Sequence, residues 1–138
     1  MEGDGGPLGV TIAGANVHDA KLLEETIEAV VVDRPDPQKE EQNLCLDKGY
    51  DNPSGKAAAV GAGYVPHIRR IGEEKRDAAG RKRHPARRWV VERTIGWLHK
   101  CRALLVRYDK KAGNYLGLIQ IACALLWFRR LYRLMVLR

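Results

Sequence analysis

A short apolar run that ends in an acid constrains the fold of this chain more than any other feature. Leu44-Cys45-Leu46 is followed directly by Asp47, and Gly49 then permits a sharp exit of the backbone. A run of this length between polar residues predicts a short buried strand over Gln42–Leu46. A helical pattern and then a second strand pattern follow it, so the two strands should lie parallel in one sheet.

Strand and helix patterns alternate along the first half of the chain, and the second half is helical. The predicted elements are a strand over Leu8–Ala13, a helix capped by Asn16 or Asp19 that ends before Pro35, the strand over Gln42–Leu46, a helix from Asn52-Pro53 to about Gly61, an edge strand over Tyr64–Ile71 that contains Pro66, a long helix from about Ala86 to Leu105, a linker over Asp109–Asn114 and a last helix over Tyr115–Leu137. This order predicts an α/β fold that ends in long helices. The 138 residues suit one domain with one modest core.

The charge of the chain is divided between its two halves. Residues 1–66 carry 12 acidic and 5 basic side chains, whereas residues 67–138 carry 19 basic and 5 acidic ones. A second half with a net charge of +14 indicates a polyanionic partner, most often nucleic acid. The alternative is a basic surface that only keeps the protein in solution.

Cysteine usage and hydropathy indicate the compartment. Cys45, Cys101 and Cys123 are odd in number and form no Cys-x-x-Cys pair, which predicts buried, reduced thiols in a cytoplasmic protein rather than disulfides or zinc. The longest apolar stretch, Tyr115–Phe128, covers 14 residues, and a bilayer needs about 20. It therefore predicts a buried helix and no membrane partner, with binding at a membrane surface as the minor alternative.

Two carboxylates stand out by their positions. Asp47 ends a predicted strand, and the carboxyl ends of parallel strands carry the sites of α/β sheets. Glu92 is an isolated acid in a basic helical segment, where a rotation of about 100° per residue puts it on one face with Arg88 and His99. Two carboxylates from separate elements can hold a divalent metal, and the cation and imidazole can hold phosphate oxygens. The sequence thus predicts a metal–carboxylate site aimed at a phosphate backbone.

Each of these residues also has an ordinary structural interpretation. Asp47 can cap a turn, because Asp-Lys-Gly is common turn chemistry. Glu92 can form an ion pair with Arg88 or another neighbouring base. Asp51 is expected to cap a helix rather than to support a metal, and His18 to form a hydrogen bond at a helix start.

The tryptophans have two interpretations as well. Trp89 and Trp97 could stack on flipped bases, because an aromatic face accepts any base. Their apolar helical spacing favours core packing instead, and Trp127 and Phe128 are expected in the core.

Five segments, in order along the chain, resemble one protein family. Leu44-Cys45-Leu46-Asp47-Lys48-Gly49-Tyr50-Asp51 resembles the second-aspartate segment of bacterial insertion-sequence transposases, whose DDE site lies in an RNase H-like domain. The segment from Arg87 to Leu98 resembles their glutamate helix. Gly14–Asp19, Arg107–Lys110 and Asn114–Leu116 are similar to further segments of the same family.

The resemblance implies a catalytic role for two residues. Asp47 takes the place of the second catalytic aspartate and Glu92 that of the catalytic glutamate, both as metal ligands. The implied chemistry is two-metal cleavage and joining of DNA at element ends and target, with Mg²⁺ as the ion and Mn²⁺ as a substitute. The implied setting is the bacterial cytoplasm, at the nucleoid.

DNA contacts of the family are matched in part. Arg88 corresponds to the family's arginine four residues before the glutamate. The tyrosine expected three residues earlier is Pro85, and the lysine expected seven residues after the glutamate is His99, with Lys100 beside it. Further phosphate contacts are expected from the basic residues Arg69, Arg70, Arg81, Lys82, Arg83 and Arg87.

The first aspartate of the family's site has no counterpart here. In the family it lies on the first sheet strand, upstream of the hairpin with which this chain opens, whereas Asp4 lies in the turn. The chain is therefore expected to be the C-terminal part of the domain, with a partial RNase H-like fold whose mixed sheet lacks its first strands. Its parts would be residues 1–71 (strands and helices), 72–85 (a basic loop) and 86–138 (the glutamate helix and the C-terminal helix). Such a chain should be inactive alone, should need the upstream segment, and should self-associate through unpaired strand edges.

Two other functions fit parts of the sequence. The first is a non-catalytic, basic nucleic-acid-binding protein, which metal-dependent strand cleavage would exclude. The second is a protein-interaction module from a decayed element, in which Tyr115–Leu137 docks on a partner. Salt-insensitive binding would favour that module.

Overall fold

A computed structural model of the chain describes residues 1–68 and 88–136, without the side chain of Arg88. The helices and strands are α1 (Leu23–Glu28), β1 (Asn43–Leu46), α2 (Pro53–Gly61), β2 (Val65–Ile68), α3 (Arg88–Leu98), α4 (Arg102–Leu105) and α5 (Ala112–Val136), with 3₁₀ turns at Asp19–Lys21 and Lys48–Tyr50. They divide into two compact units. Unit 1 comprises Met1–Ile12 and Arg88–Arg138, and unit 2 comprises Ala13–Arg87.

Unit 2 contains a parallel strand pair joined by a helix. Asn43 of β1 pairs with Val65 of β2, and Leu46 pairs with Ile68. The predicted order of strand, helix and parallel strand is confirmed. The predicted burial of β1 is wrong: its residues alternate between exposed and half-buried, and Cys45 is exposed. The reason is that successive side chains of a strand point to opposite faces, and only one face of β1 is even partly covered.

Helix α2 begins and ends as its sequence predicts. The Asn52 side chain accepts a hydrogen bond from the backbone N–H of Gly55 at 2.7 Å, and Pro53 occupies the first turn. Gly63, at a φ of +75°, turns the chain into β2. Because Asn52 fills the capping position, the expectation that Asp51 caps this helix is wrong; its carboxylate lies 2.6 Å from Lys56 Nζ.

The first predicted helix is shorter than expected. His18 caps the 3₁₀ turn, because its Nδ1 accepts a hydrogen bond from the N–H of Ala20 at 3.2 Å. The role expected of His18 is confirmed, and the expected cap at Asn16 or Asp19 is wrong. Helix α1 ends at Glu28, since the run of β-branched valines at 30–32 lowers helix propensity before Pro35 is reached.

Unit 1 departs from prediction at its helix boundaries. The expected single helix from 86 to 105 is interrupted after Leu98, where Lys100 N–H bonds to Trp97 and Cys101 N–H to Leu98, a tighter pattern that ends α3. Residues 8–13 form no strand with any described residue. The expected linker is shorter, since α5 already begins at Ala112.

Helix α5 is less buried than its hydropathy predicts. Ala122 is its one buried residue within 112–136, Trp127 is half-buried and Phe128 is exposed. The predictions of a buried helix and of Phe128 in the core are therefore wrong, because unit 1 covers a single face of α5. None of the described helices combines the length and hydropathy needed to cross a membrane.

Candidate metal and DNA site

Asp47 stands where the sequence placed it, at the carboxyl end of β1. Its side chain caps the following 3₁₀ turn: Oδ1 accepts a hydrogen bond from the N–H of Gly49 at 2.8 Å. The capping interpretation of Asp47 is thereby confirmed. The residue is exposed, and among the described residues no hydrogen bond reaches its second oxygen, Oδ2. Capping therefore leaves half of the carboxylate for another ligand.

The environment of Asp47 is acidic. Burial, together with the negative charges of Asp19 and Asp47, raises the pKa of Tyr50. Both carboxylates thus lie close enough to one phenol to oppose its ionisation. Within residues 1–68 and 88–136, however, no three His, Cys, Asp or Glu side chains gather as a metal-binding group.

Glu92 lies on the outer face of α3. Val90 and Thr94, two residues before and after it, are buried at 5% and 4% exposure. Two residues correspond to a rotation of about 200°, so the face that carries Glu92 points away from the packed face. Glu92 is accordingly exposed.

The packed face of α3 is held by the N-terminal turn, Glu2–Pro7. The Thr94 hydroxyl donates a hydrogen bond to Gly5 O at 2.7 Å, and the Arg93 guanidinium donates one to Asp4 O at 2.6 Å. Gly5 has a φ of +89°, a left-handed conformation that suits glycine. These contacts fix the side of α3 opposite to Glu92.

Helix α5 holds the same turn from its other side. Arg130 contacts Glu2 Oε1 at 2.6 Å and also donates to Asp4 O, while Trp127 Nε1 donates to Pro7 O at 2.8 Å. Burial alone would raise the pKa of Glu2, but N–H donors of the turn and the Arg130 guanidinium outweigh it and hold that pKa below its usual value.

Together, Arg93, Thr94, Trp127 and Arg130 hold the N-terminal turn between α3 and α5, and we call this arrangement the clamp. Sequence reasoning missed it. No residue of the clamp stands out in the sequence by itself, and the contacts join residues that are up to 128 positions apart. The one available signal was the pair Gly5-Gly6, because adjacent glycines in a turn often mark a close approach of backbone to another element.

The two predicted metal ligands belong to different units. Asp47 lies in unit 2 and Glu92 in unit 1. Their convergence on one site stays a prediction.

The predicted DNA contacts are described only in part. Arg69, Arg70, Arg81, Lys82, Arg83 and Arg87 lie outside the described residues, and so does the predicted basic loop over 72–85. Arg88 begins α3, and its role as a DNA contact stays a prediction. His99 follows α3 and is exposed, with its N–H bonded to Ile95 O at 2.9 Å.

Lys100 and two tryptophans form an exposed basic and aromatic surface. Lys100 Nζ lies 4.5 Å from the ring centroid of Trp97, and the Arg93 guanidinium lies 4.7 Å from that of Trp89. Trp89 is 57% exposed and Trp97 37%. The core packing favoured for both tryptophans is therefore wrong, and their accessible rings keep base stacking open as a role.

The chemistry of these side chains fits a hard divalent cation. Mg²⁺ prefers carboxylate oxygens and keeps several waters, so it needs few protein ligands. Asp47 offers an exposed oxygen, and Glu92 is an exposed carboxylate on a rigid helix. Each residue taken by itself thus has the chemistry of a ligand for such an ion.

A family model described as "Transposase DDE domain" matches residues 1–127. The chain belongs to this transposase family. The match includes both Asp47 and Glu92, and it leaves out the last turns of α5.

One curated relative extends the assignment. The chain is 30% identical over 135 residues to a protein of Burkholderia cepacia, named as the inferred transposase for insertion sequence element IS402. The match covers 96% of this chain and 62% of the relative, so the chain spans less than two thirds of that protein's length. No solved structure matches the chain significantly.

Proposed function

We propose that the chain is the C-terminal part of a transposase catalytic domain that cuts and joins DNA at the ends of an insertion sequence and at its target. Family membership supports the class of function. The observation that carries the chemistry is the exposed Asp47 carboxylate at the carboxyl end of a parallel strand, where open α/β sheets carry their sites. An RNase H-like arrangement, completed by an upstream segment, would bring Glu92 to the same place.

In this proposal Asp47 and Glu92 hold Mg²⁺, or Mn²⁺ in its place. Such ions, when bound, activate a water or a 3′-hydroxyl and stabilise the leaving oxygen. The task of the protein's own residues is to bind and orient the substrate. Arg88 lies at the start of α3, and His99 and Lys100 follow its end. In this proposal they bind phosphate oxygens on either side of Glu92.

DNA binding should be strongly dependent on salt. The second half of the chain carries 19 basic residues, and each phosphate that they neutralise should add about 0.9 to the magnitude of the slope of log affinity against log salt. Fluorescence anisotropy with a labelled duplex, titrated at low and moderate salt, measures that slope. Two unrelated duplex sequences should give similar slopes, and a flat response would contradict DNA binding by the basic half.

A pair of lysines provides a matched test of where DNA binds. Lys100→Ala should lower the magnitude of the slope by about 0.9 for one lost phosphate contact. Lys39→Ala should leave it unchanged, because Lys39 lies in the acidic half and its ammonium is 3.7 Å from Asp36 Oδ2. Equal effects of the two substitutions would show that net charge, rather than a DNA-binding surface, determines the affinity.

The 138-residue chain by itself should not cut DNA. The resemblance assigns the first aspartate of the site to no residue of this sequence, and two carboxylates leave one metal ligand missing. Purified chain should therefore leave supercoiled plasmid intact with Mg²⁺ or Mn²⁺. Adding the upstream segment, in cis or as a second chain, should produce nicking. Nicking by the chain alone would show that another of its own acids, Asp4, Asp19 or Asp51, completes the site.

The proposal includes self-association. Within residues 1–68 and 88–136 the sheet has two strands, so its outer edges have no further strand partner there, and such edges invite pairing with another chain. The association would bring two catalytic domains to the two ends of one element.

A further inference from the structure

A cavity of about 230 Å³ lies between the end of α3 and the middle of α5, within unit 1. Helix α5 contributes one of its faces to the lining, through residues that are three, one and three positions apart: Ala122, Leu125, Leu126 and Arg129. The opposite wall is the tight backbone turn that ends α3. Drug-sized sites begin at roughly 300 Å³, so the cavity suits a small ligand.

Two cations line this cavity, and none of the described residues in its lining is acidic. Arg129 belongs to the α5 face, and Lys100 belongs to the turn after α3, where its Nζ lies 4.5 Å from the centroid of the Trp97 ring. Neither cation forms an ion pair with a described acid, whereas the next residue of α5, Arg130, contacts Glu2. The cavity therefore favours an anion.

The rest of the lining determines what the body of that anion can be. Leu98, Leu125 and Leu126 present hydrocarbon, and no described side chain of the lining carries a carboxylate, amide or hydroxyl oxygen. A nucleobase or a sugar would lose hydrogen bonds to water here, because its N–H and O–H groups would meet no side-chain acceptor oxygen. A hydrocarbon chain has no such groups, and its burial is favourable in proportion to its area.

We propose that this cavity binds a small apolar carboxylate, such as a medium-chain fatty acid. The hydrocarbon chain would lie between α3 and α5, and the carboxylate would accept charge-assisted hydrogen bonds from Arg129 and Lys100. This site is distinct from the proposed metal site and does not depend on DNA chemistry. Because Lys100 is also a proposed DNA contact, the ligand and a DNA duplex would share one cation.

The thiol of Cys101 lies in the lining and reports whether the cavity is occupied. Decanoate should slow the alkylation of Cys101 by iodoacetamide, measured on the 138-residue chain by peptide mass spectrometry. Cys45 is the internal control, because it is exposed and belongs to unit 2, so its alkylation rate should not change. Titration of decanoate against the protection of Cys101 gives the Kd.

Chain length tests the apolar wall without any substitution. From hexanoate to decanoate, each added methylene group should tighten binding by up to about fourfold, because it buries further hydrocarbon between α3 and α5. Equal affinities along the series would contradict an apolar binding site.

A pair of arginines on α5 tests the cationic part of the site. Arg129→Ala should weaken decanoate binding by about three- to tenfold, because one of the two partners of the carboxylate is lost. Arg133→Ala is the matched control and should bind as the wild-type chain does, since Arg133 is an exposed arginine one turn later that does not line the cavity. Far-UV circular dichroism checks that both variants keep their helices.

Three further results would overturn the proposal. The first is an alkylation rate of Cys101 that decanoate does not change. The second is equal or stronger protection by thymidine monophosphate, which would make the cavity a nucleotide site. The third is protection by phosphatidylglycerol vesicles but not by free decanoate, which would make it a membrane-surface site. The salt titration and the nicking assay use no carboxylate, so failure of this site is distinguishable from failure of the proposed function.

Discussion

Gly6→Ala should lower the free energy of unfolding of unit 1 by about 1–3 kcal/mol, the usual cost of overpacking a tight contact. A Cβ atom at this position would lie 2.2 Å from Trp127 Cζ2 and 2.9 Å from Glu2 Oε1. Neither neighbour can simply move away, because Trp127 is bonded to Pro7 O and Glu2 is held by Arg130. Urea denaturation followed by tryptophan fluorescence measures the change, since Trp89, Trp97 and Trp127 all lie in unit 1.

Gly117→Ala is the matched control for that experiment. Gly117 lies inside α5, and a Cβ there would meet nothing within 4 Å. Alanine in a helix interior is favoured over glycine by roughly 0.5–1 kcal/mol, so this variant should be as stable as the wild-type chain or more so. If Gly6→Ala were equally harmless, the N-terminal turn would not be packed between α3 and α5 in solution.

The second large effect concerns the DNA nicking that we propose for the chain when an upstream transposase segment completes it. Asp47→Ala and Glu92→Ala should each reduce metal-dependent nicking by at least about a hundredfold, because each would remove a ligand of the metal site. The double variant should lose little more than either single variant, since residues of one catalytic unit act together. Plasmid nicking with Mg²⁺ gives the rates.

Asp36→Ala tests whether Asp47 is a metal ligand, as proposed, or only a turn cap. Both aspartates cap a turn in the same way: Asp36 Oδ1 accepts from Gln38 N–H at 2.9 Å, and Asp47 Oδ1 accepts from Gly49 N–H at 2.8 Å. If Asp47 acted only as a cap, the two substitutions would have similar effects. We expect Asp36→Ala to retain nicking, and an equal loss in both variants would contradict a metal ligand at Asp47.

Local chemistry made part of the fold predictable. Asn52-Pro53 determines the start of α2, the apolar run before Asp47 determines β1, and the order of elements determines the parallel pair. In each case the information lies within a few residues of the element. The position of Asp47 at the end of β1 followed for the same reason.

Burial was predicted less well, because it depends on what covers an element. The hydropathy of α5 is that of a core helix, yet Phe128 is exposed because unit 1 packs on the other face. Glu92 could be placed on a helix face from the sequence, but the clamp behind it could not. That clamp joins residues at the two ends of the chain, and no local pattern reports such a pairing.

Unit 1 consists of two segments that are separated in sequence by unit 2, and this affects the order in which the units can fold. Residues 1–12 are synthesised before unit 2, but their partners in α3 and α5 are synthesised after it. Closing a loop of that length carries an entropic cost that unit 2, continuous in sequence, does not share. During synthesis the N-terminal turn therefore cannot form these contacts until α3 and α5 have been made, whereas β1, α2 and β2 can already fold together. Unit 1 is thus completed only after α5 has been synthesised.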